Sequence, residues 1–215
     1  MTSPATTPIS RRTAFRGLGI ASLAVATGLL ATAKANAASD LVVIDQIGTG
    51  PWGEENCGPT SAVIALVAAG KAPDDYVPGT EGTTVGGNAT AVKNMRVACG
   101  LSPQGDASAK SVDYWGAYLK DLEKGIREDD GTATHSEYEE GVDAAASGSV
   151  VILHVHHGTL IDEDADYGHF VVAQGKDSDG TILVSDPGRA QSIGITGYSR
   201  DHLLNARQGD ATIVS

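Results

Sequence analysis

The sequence predicts an α+β fold in which N-terminal helices pack on a mostly antiparallel sheet formed by the C-terminal half of the chain. Apolar residues recur at helical spacing between residues 57 and 146, and short β-rich runs separated by turn residues follow from residue 149 onward. Helices that precede the strands, instead of alternating with them, are typical of α+β proteins. The 215 residues, of which 178 remain after an N-terminal signal segment is set aside, suffice for one domain with one core.

The first predicted helix begins at Cys57. Residues 56–61 read Asn-Cys-Gly-Pro-Thr-Ser and lead into the apolar run 62–69, with Pro59 suited to the first helical turn and Gly70 to the stop. A helix N-terminus carries unpaired N–H groups and the positive end of the macrodipole, so a thiolate there is stabilised and the thiol pKa falls below its free value of about 8.5. Cys57 is therefore a candidate nucleophile, although most free cysteines are small buried apolar residues.

Three more helices are predicted before the first strand. Asn88 is predicted to cap the first, whose apolar face is Val92, Met95 and Cys99. Ser111 is predicted to cap the second, whose apolar face is Trp115, Tyr118, Leu119 and Leu122. Ser136 is predicted to cap the third in a capping box with Glu139, and its apolar face is Val142, Ala145 and Ala146. Residues 71–88, which are rich in Pro, Gly, Asp and Thr, are predicted to form a surface loop. Cys99 is predicted to be a buried free thiol; a disulfide with Cys57 is the alternative, and it would block the candidate nucleophile.

Four strands are predicted from apolar and β-rich runs, at residues 149–155, 169–175, 181–185 and 211–214. The turn-forming residues 177–180 make the second and third of them a hairpin, whose pairing places Asp186 either opposite His169 or one diagonal step along. A carboxylate there can hold one nitrogen of the imidazole and leave the other nitrogen facing a thiol. Taken separately, His169 is an ordinary strand-start histidine and Asp186 an ordinary turn residue. Together with Cys57 they form a candidate catalytic set.

Three motifs, in this order along the chain, resemble the papain-clan cysteine peptidases of the bacteriocin-processing (double-glycine leader) type and their stand-alone relatives. They are Cys57-Gly58-Pro59-Thr60-Ser61, Gly168-His169-Phe170-Val171-Val172 and Asp186-Pro187-Gly188. The resemblance covers nearly all of the mature chain. It implies a papain-like fold with Cys57 as the nucleophile, His169 as general base and then acid, and Asp186 as the residue that orients the histidine.

The same resemblance implies that a glutamine upstream of the cysteine offers its side-chain amide to the oxyanion. Gln46 is the only glutamine between the predicted processing site and Cys57. Eleven positions separate the two residues, more than in papain itself, and the intervening residues 48–53 have the composition of an irregular loop that can absorb the excess. The resemblance does not extend to the substrate, because bacteriocin-processing members are normally fused to membrane transporters and cut leaders inside the cell.

The N-terminus predicts export. Residues 1–37 contain no acidic residue, carry three arginines before a small apolar run, and end in Ala35-Asn36-Ala37, a small-x-small processing pattern. The pair Arg11-Arg12 followed by Phe15 resembles a twin-arginine export signal. The apolar run is short for a bilayer span and diluted by glycine, alanine and threonine, so a signal peptide is favoured over a membrane anchor. We therefore expect residues 38–215 to form a secreted, extracellular domain.

Charge argues against nucleic acid as a partner. Loss of residues 1–37 removes four positive charges and no negative ones, which moves the net charge from −12 to −16. No basic patch offsets that charge.

The acidic run 162–166, with Glu54 and Glu55, makes the expected cleft entrance acidic and favours basic or neutral substrates. We expect a monomer without a stable membrane anchor, whose partner is a peptide or protein substrate, with the peptide stems of the cell wall as one candidate.

The sequence thus predicts a secreted cysteine peptidase that hydrolyses a peptide or isopeptide bond through a Cys-His-Asp triad and a thioester acyl-enzyme. Two alternatives remain open: an acyltransferase or transpeptidase that uses the same triad, and a catalytically silent binding module. No cofactor or metal ion is expected. His154 and His156 share a strand face and could bind a metal, but such a pair is more often a strand end near a wet cleft.

Overall fold

The computed structural model describes residues 41–50, 52–78, 83–84, 88–101, 116–190, 192 and 194–215. The predicted signal segment 1–37 lies outside the described residues, as do the predicted helix start at Ser111, with Trp115, and part of the predicted surface loop 71–88. In the part of the chain that the structure describes, no helix is long and apolar enough to cross a membrane.

The described residues form six α-helices and eight strands. The helices are α1 (Cys57–Ala68), α2 (Ala89–Ala98), α3 (Leu119–Glu128), α4 (Tyr138–Ala146), α5 (His157–Ile161) and α6 (Arg200–Asn205), and short 3₁₀ turns at Ile47–Thr49 and Gly53–Glu55 precede α1. The strands are β1 (Val43–Ile44), β2 (Thr83–Thr84), β3 (Ala133–Ser136), β4 (Val150–His156), β5 (Gly168–Lys176), β6 (Ile182–Ser185), β7 (Ile195–Tyr198) and β8 (Arg207–Val214).

Six of these strands form one sheet in the order β3-β8-β4-β5-β6-β7, and every neighbouring pair in it is antiparallel. Strands β1 and β2 form a separate parallel pair. The four predicted strands correspond to β4, β5, β6 and β8. The prediction of an α+β fold, with N-terminal helices packed on a mostly antiparallel sheet, is confirmed.

Apolar side chains cluster on both faces of the sheet, whereas the chain length had led us to expect a single core. Ile152 of β4 lies in one cluster with residues of α1, α2 and α3, and its neighbours Val151 and Leu153 lie in the other with residues of α4 and α6. Successive side chains of a strand point to opposite faces, so one strand contributes to both clusters. Helices cover the sheet on each side as a result.

Helix α1 is buried on all sides from Gly58 to Leu66, a wider burial than the single apolar face that its sequence predicts. The hydroxyl of Ser61 donates to the carbonyl of Phe170 in β5 at 3.0 Å. A Cβ at Gly58 would lie 2.9 Å from the Cβ of Ala117, so glycine allows this close approach. These contacts fix the Cys57 end of α1 against the start of β5.

Two details of the predicted helices are wrong. Ser136 is the last residue of β3, and its hydroxyl donates to the carbonyl of Glu137, the N-cap residue of α4, so the predicted capping box does not form. Tyr118 is 62% exposed, because it precedes α3 and does not share the apolar face of that helix. Asn88 does occupy the N-cap position of α2, but its side chain bonds to the backbone of Val77.

Candidate active site

Cys57 is the first residue of α1, and its side chain is half-buried. Its sulfur is hydrogen-bonded by the backbone N–H groups of Phe170 and Gly58 and by the imidazole of His169. The first N–H groups of a helix have no partner within the helix, so this end of α1 favours a negative charge on the sulfur. The structure therefore places the thiol in the setting that the sequence predicts.

His169 is the second residue of β5 and is buried. Its Nε2 lies 2.7 Å from Oδ1 of Asp186. The ring has one other nitrogen, Nδ1, which is left for the hydrogen bond to the Cys57 sulfur. The imidazole thus connects the thiol to a carboxylate.

Asp186 directly follows β6, and the strand pairing explains how it reaches the histidine. Ser185 pairs with Val172 of β5, so the same register places Asp186 opposite Val171. That position is one diagonal step from His169, which is one of the two positions that the predicted hairpin allows.

Both oxygens of the Asp186 carboxylate are hydrogen-bonded. In addition to His169, Oδ1 accepts the backbone N–H of Gly188 at 2.8 Å, and Oδ2 lies 2.9 Å from Nε2 of His157. A Cβ at Gly188 would lie 3.2 Å from Cε1 of His169, so glycine lets the turn after β6 lie against the imidazole. The carboxylate is held at several points and is mostly buried.

These groups shift one another's pKa in directions that favour a charged pair. Desolvation raises the pKa of the Cys57 thiol, but the hydrogen bond and charge of His169, together with the backbone hydrogen bonds of Phe170 and Gly58, lower it by more. Burial lowers the pKa of His169, but its hydrogen bonds to Asp186 and Cys57 raise it overall to about 10. Burial raises the pKa of Asp186, and hydrogen bonds from His157 and His169 more than reverse this, so that pKa lies well below its usual range. These directions all favour the ionised forms of the three groups, a thiolate, an imidazolium and a carboxylate.

Gln46 lies between the Asp186 turn and the loop that leads into α1. Its backbone N–H donates to the carbonyl of Pro187 at 3.0 Å. Its buried Nε2 donates one hydrogen to the carbonyl of Glu54 at 3.0 Å, which leaves the second hydrogen of the amide, and Oε1 has no hydrogen-bond partner among the described residues. The structure therefore brings this amide to the backbone three residues before Cys57.

A buried arginine holds the loop that leads into α1. Arg96 of α2 is 1% exposed, its Nη1 donates to Oδ1 of Asn56 at 3.1 Å, and its guanidinium lies 5.1 Å from the ring centroid of Trp52. Nδ2 of Asn56 donates in turn to Oγ1 of Thr49 at 2.9 Å. The sequence analysis missed Arg96, because only the folding of α2 against α1 brings it to a loop 40 positions earlier.

His157 is a second residue of the site that the sequence analysis gave no role. One ligand atom from each of His157, His169 and Asp186 lies within 4.8 Å of the others, a spacing that a metal ion could share. The nitrogen–oxygen distances of 2.7 and 2.9 Å are, however, those of hydrogen bonds that use these same atoms. The cluster is accordingly described as two histidines that share one carboxylate.

The two histidines considered as a metal pair on β4 have other contacts. His154 stacks on Phe170, with ring centroids 4.6 Å apart. His156 caps α5, where Nδ1 accepts the backbone N–H of Thr159 at 3.2 Å and Nε2 lies 3.2 Å from Asp166. These contacts agree with the interpretation of a strand end near solvent.

The carboxylates predicted to make the cleft entrance acidic include Glu54, three residues before Cys57. Glu54 and the acidic residues after α5 are exposed. Burial raises the pKa of Tyr167, and the negative charges of Cys57 and Glu163 add to that shift, so both groups are near this tyrosine. Glu163 also lies 3.5 Å from Arg189. Arg189 therefore offsets part of the negative charge of the acidic run 162–166.

Alkylation by iodoacetamide at different pH values tests the ion pair. Cys57 and Cys99 are both free, and burial raises the pKa of Cys99 to about 12, so only Cys57 should react at neutral pH. We expect rapid labelling of Cys57 below about pH 7, because its pKa is lowered. In His169→Ala the rate should rise only near the ordinary thiol value of about 8.5.

Mass spectrometry locates the label, and Cys57→Ser is the control that should remove it. The same pH profile in the wild type and in His169→Ala would contradict the ion pair.

Comparison with known proteins gives similarity of fold. No protein-family model and no curated protein matches the chain. The structure is similar to a double-glycine-motif protease from an AMS/PCAT transporter, solved in complex with the leader peptide (19% identity, 74% of this chain and 82% of that chain covered, TM-score 0.44). It is also similar to the peptidase domain of Streptococcus ComA, a bifunctional ABC transporter involved in a quorum-sensing pathway (13% identity, 75% and 92% covered, TM-score 0.49). Both likenesses concern the fold alone.

Proposed function

We propose that this protein is a cysteine peptidase that hydrolyses a peptide or isopeptide bond through a thioester acyl-enzyme. The observation that carries the proposal is the buried row of hydrogen bonds from Cys57 through His169 to Asp186. A thiol, a base and a group that orients the base, within hydrogen-bond reach of one another, are the parts that covalent acyl transfer requires. A catalytically silent binding module would not need this arrangement of charges.

The residues suit each step of that reaction. The Cys57 thiolate attacks the carbonyl carbon and forms a tetrahedral oxyanion, and His169 then gives its proton to the leaving amine as the carbon–nitrogen bond breaks. The product of this step is a thioester on Cys57. His169, now neutral, takes a proton from water, whose oxygen attacks the thioester, and the sulfur leaves as a thiolate with the acid product released. Asp186 holds the imidazole in the same orientation throughout.

Two donors are proposed to hold the oxyanion. The backbone N–H of Cys57 is at the first position of α1, where the helix itself supplies no acceptor. The second donor is the remaining amide hydrogen of Gln46, since its Nε2 uses one hydrogen for Glu54. A buried amide that is bonded to the backbone three residues before the nucleophile, and that has a second hydrogen to donate, supports an oxyanion role for Gln46.

The variant Gln46→Ala separates an oxyanion role from a structural one. Loss of one oxyanion donor typically lowers kcat about 100- to 1,000-fold, and we expect a loss of that size for peptide hydrolysis. Alkylation by iodoacetamide forms no oxyanion, so the rate at which Cys57 is labelled should stay within about twofold of the wild type. Hydrolysis at the wild-type rate would exclude Gln46 as a donor, and an equal loss in both assays would indicate a disturbed fold.

Exposure of a peptide library to the purified protein, with cleavage sites read by mass spectrometry, tests the activity itself. We expect cleavage that is absent in Cys57→Ala and that favours basic or neutral residues near the scissile bond, since Glu54 and Glu163 border the site. Glu163→Lys should weaken that preference. The matched control is Asp74→Lys, which lies beyond the far end of α1, a helix about 18 Å long that begins at Cys57.

The same experiment distinguishes hydrolysis from transfer. An amine added to the reaction would appear in the product if the enzyme were an acyltransferase, and water alone would appear if it were a hydrolase. A folded protein that labels normally but cleaves no peptide, and transfers no acyl group to the amine, would contradict the proposed function.

The N-terminal pattern supports export of this activity, with residues 38–215 acting outside the cell. N-terminal sequencing of protein recovered from the culture medium tests this, and we expect the sequence to begin at Ala38. Retention of residues 1–37 on protein that stays inside the cell would contradict export.

A further inference from the structure

His157 makes three contacts that converge on the proposed catalytic group. Its Nε2 lies 2.9 Å from Oδ2 of Asp186, and its Nδ1 is hydrogen-bonded to the hydroxyl of Tyr167. Its ring lies against that of His169, with centroids 4.4 Å apart. His157 is buried, whereas Tyr167 is 51% exposed. A hydrogen-bonded row therefore runs from the surface through His157 and Asp186 to His169 and the Cys57 sulfur.

The backbone holds this histidine and this tyrosine together. His156, the last residue of β4, pairs with Gly168, the first residue of β5. His157 and Tyr167 are the next residues beyond that pair, and the N–H of His157 donates to the carbonyl of Tyr167 at 3.0 Å. Tyr167 thus directly precedes the strand that carries His169, and this backbone bond holds it beside His157 at the end of the sheet.

Each contact has a consequence for the carboxylate. Oδ1 of Asp186 accepts hydrogen bonds from His169 and Gly188. Among the described residues, His157 is the donor to Oδ2. Without His157, Oδ2 would be a buried acceptor with no donor in that part of the chain, and the carboxylate could rotate away from His169. When Nε2 of a neutral imidazole carries the hydrogen, Nδ1 is an acceptor, and the hydroxyl of Tyr167 supplies the matching donor.

We propose that His157, oriented by Tyr167, is a positioning residue that holds the Asp186 carboxylate in line with His169. The proposal deepens the proposed function and rests on it, because the carboxylate orients the catalytic base. His157 acts through Asp186 and contacts neither the sulfur nor the substrate. Groups that orient a metal-bound histidine typically change activity by about 10- to 100-fold when they are lost, and we expect an effect of similar size for a group that orients Asp186.

Two substitutions separate the hydrogen bond from ring packing. His157→Gln keeps a nitrogen donor near the position of Nε2 and removes the ring, whereas His157→Phe keeps the ring and removes the donor. We expect His157→Phe to lower kcat about 10- to 100-fold with KM within about twofold, and His157→Gln to recover at least about half of that loss on a logarithmic scale. The control is His156→Asn, in which the neighbouring histidine is replaced by another good N-cap residue. Its kcat should stay within about twofold of the wild-type value.

The hydrogen bond between Tyr167 and His157 is tested in a double-mutant cycle. Tyr167→Phe should lower kcat in the wild type by about tenfold or less, and it should have no further effect in the His157→Phe background if it acts through His157. If Tyr167→Phe lowers kcat by the same factor in the wild type and in the His157→Phe background, Tyr167 acts independently of His157. The assignment of Tyr167 would then be overturned.

Labelling of Cys57 provides a readout that needs no substrate. We expect the pH at which Cys57 becomes reactive to rise in His157→Phe and to return toward wild type in His157→Gln. If the wild type labels at low pH but cleaves nothing, the proposed function fails, and this labelling series still tests the positioning role. The role is overturned if His157→Phe matches wild type in labelling and kcat, or if His157→Gln and His157→Phe are equally impaired.

A metal ion shared by His157, His169 and Asp186 would produce a different result. Retention of stoichiometric zinc by the wild type after dialysis, lost in His157→Phe, together with loss of activity in a chelator, would assign a metal site and overturn the positioning role. We expect no retained zinc and no effect of the chelator.

Discussion

The rest of the site depends on the buried carboxylate of Asp186, which lies between two imidazoles. A carboxylate removed from water is costly unless it is paired and hydrogen-bonded, and here each oxygen has a donor. The fixed negative charge favours the imidazolium form of His169, and that cation in turn favours the thiolate of Cys57. Charge alternates along the row, so each group stabilises the ionised form of the next.

The fold assembles this row from distant parts of the chain. Strands β5 and β6 are neighbours in the sheet, and their antiparallel register brings Asp186 within one diagonal step of His169. Helix α1 lies against β5, where Ser61 bonds to Phe170, and this contact brings the helix N-terminus with Cys57 to the start of that strand. The loop before α1 is held from a third direction by Arg96.

Much of this could be predicted from the sequence, because local patterns determine it. Gly58 and Pro59 mark the helix start at Cys57, and the turn residues 177–180 predict the β5–β6 hairpin. The register that places Asp186 also depends on a one-residue shift between Ala173 and Lys176, which the sequence pattern does not show. The predicted strands were confirmed since their apolar and β-rich runs are distinct. Sequence alone does not show that Nε2 of His169, and not Nδ1, faces the carboxylate.

The missed features depend on contacts between distant segments. Arg96 reads as one more polar residue of an amphipathic helix, and only the packed structure shows its guanidinium beside Asn56. His157 was one histidine among three close neighbours, and the turn of the chain from β4 into α5 decides that this one reaches Asp186. Tyr118 has the spacing of an apolar face, but the helix begins only after it.

The most direct test of the charged pair is an NMR titration of the His169 imidazole in protein labelled with ¹³C and ¹⁵N at histidine. The ring signals of His169 can be assigned by comparison with His169→Gln. We expect the ring of the wild type to remain an imidazolium from neutral pH up to about pH 10, and to lose its proton at lower pH in Cys57→Ala, where the thiolate is absent. A ring that titrates near its ordinary value of about 6.5 in both proteins would contradict the ion pair on which the proposed chemistry depends.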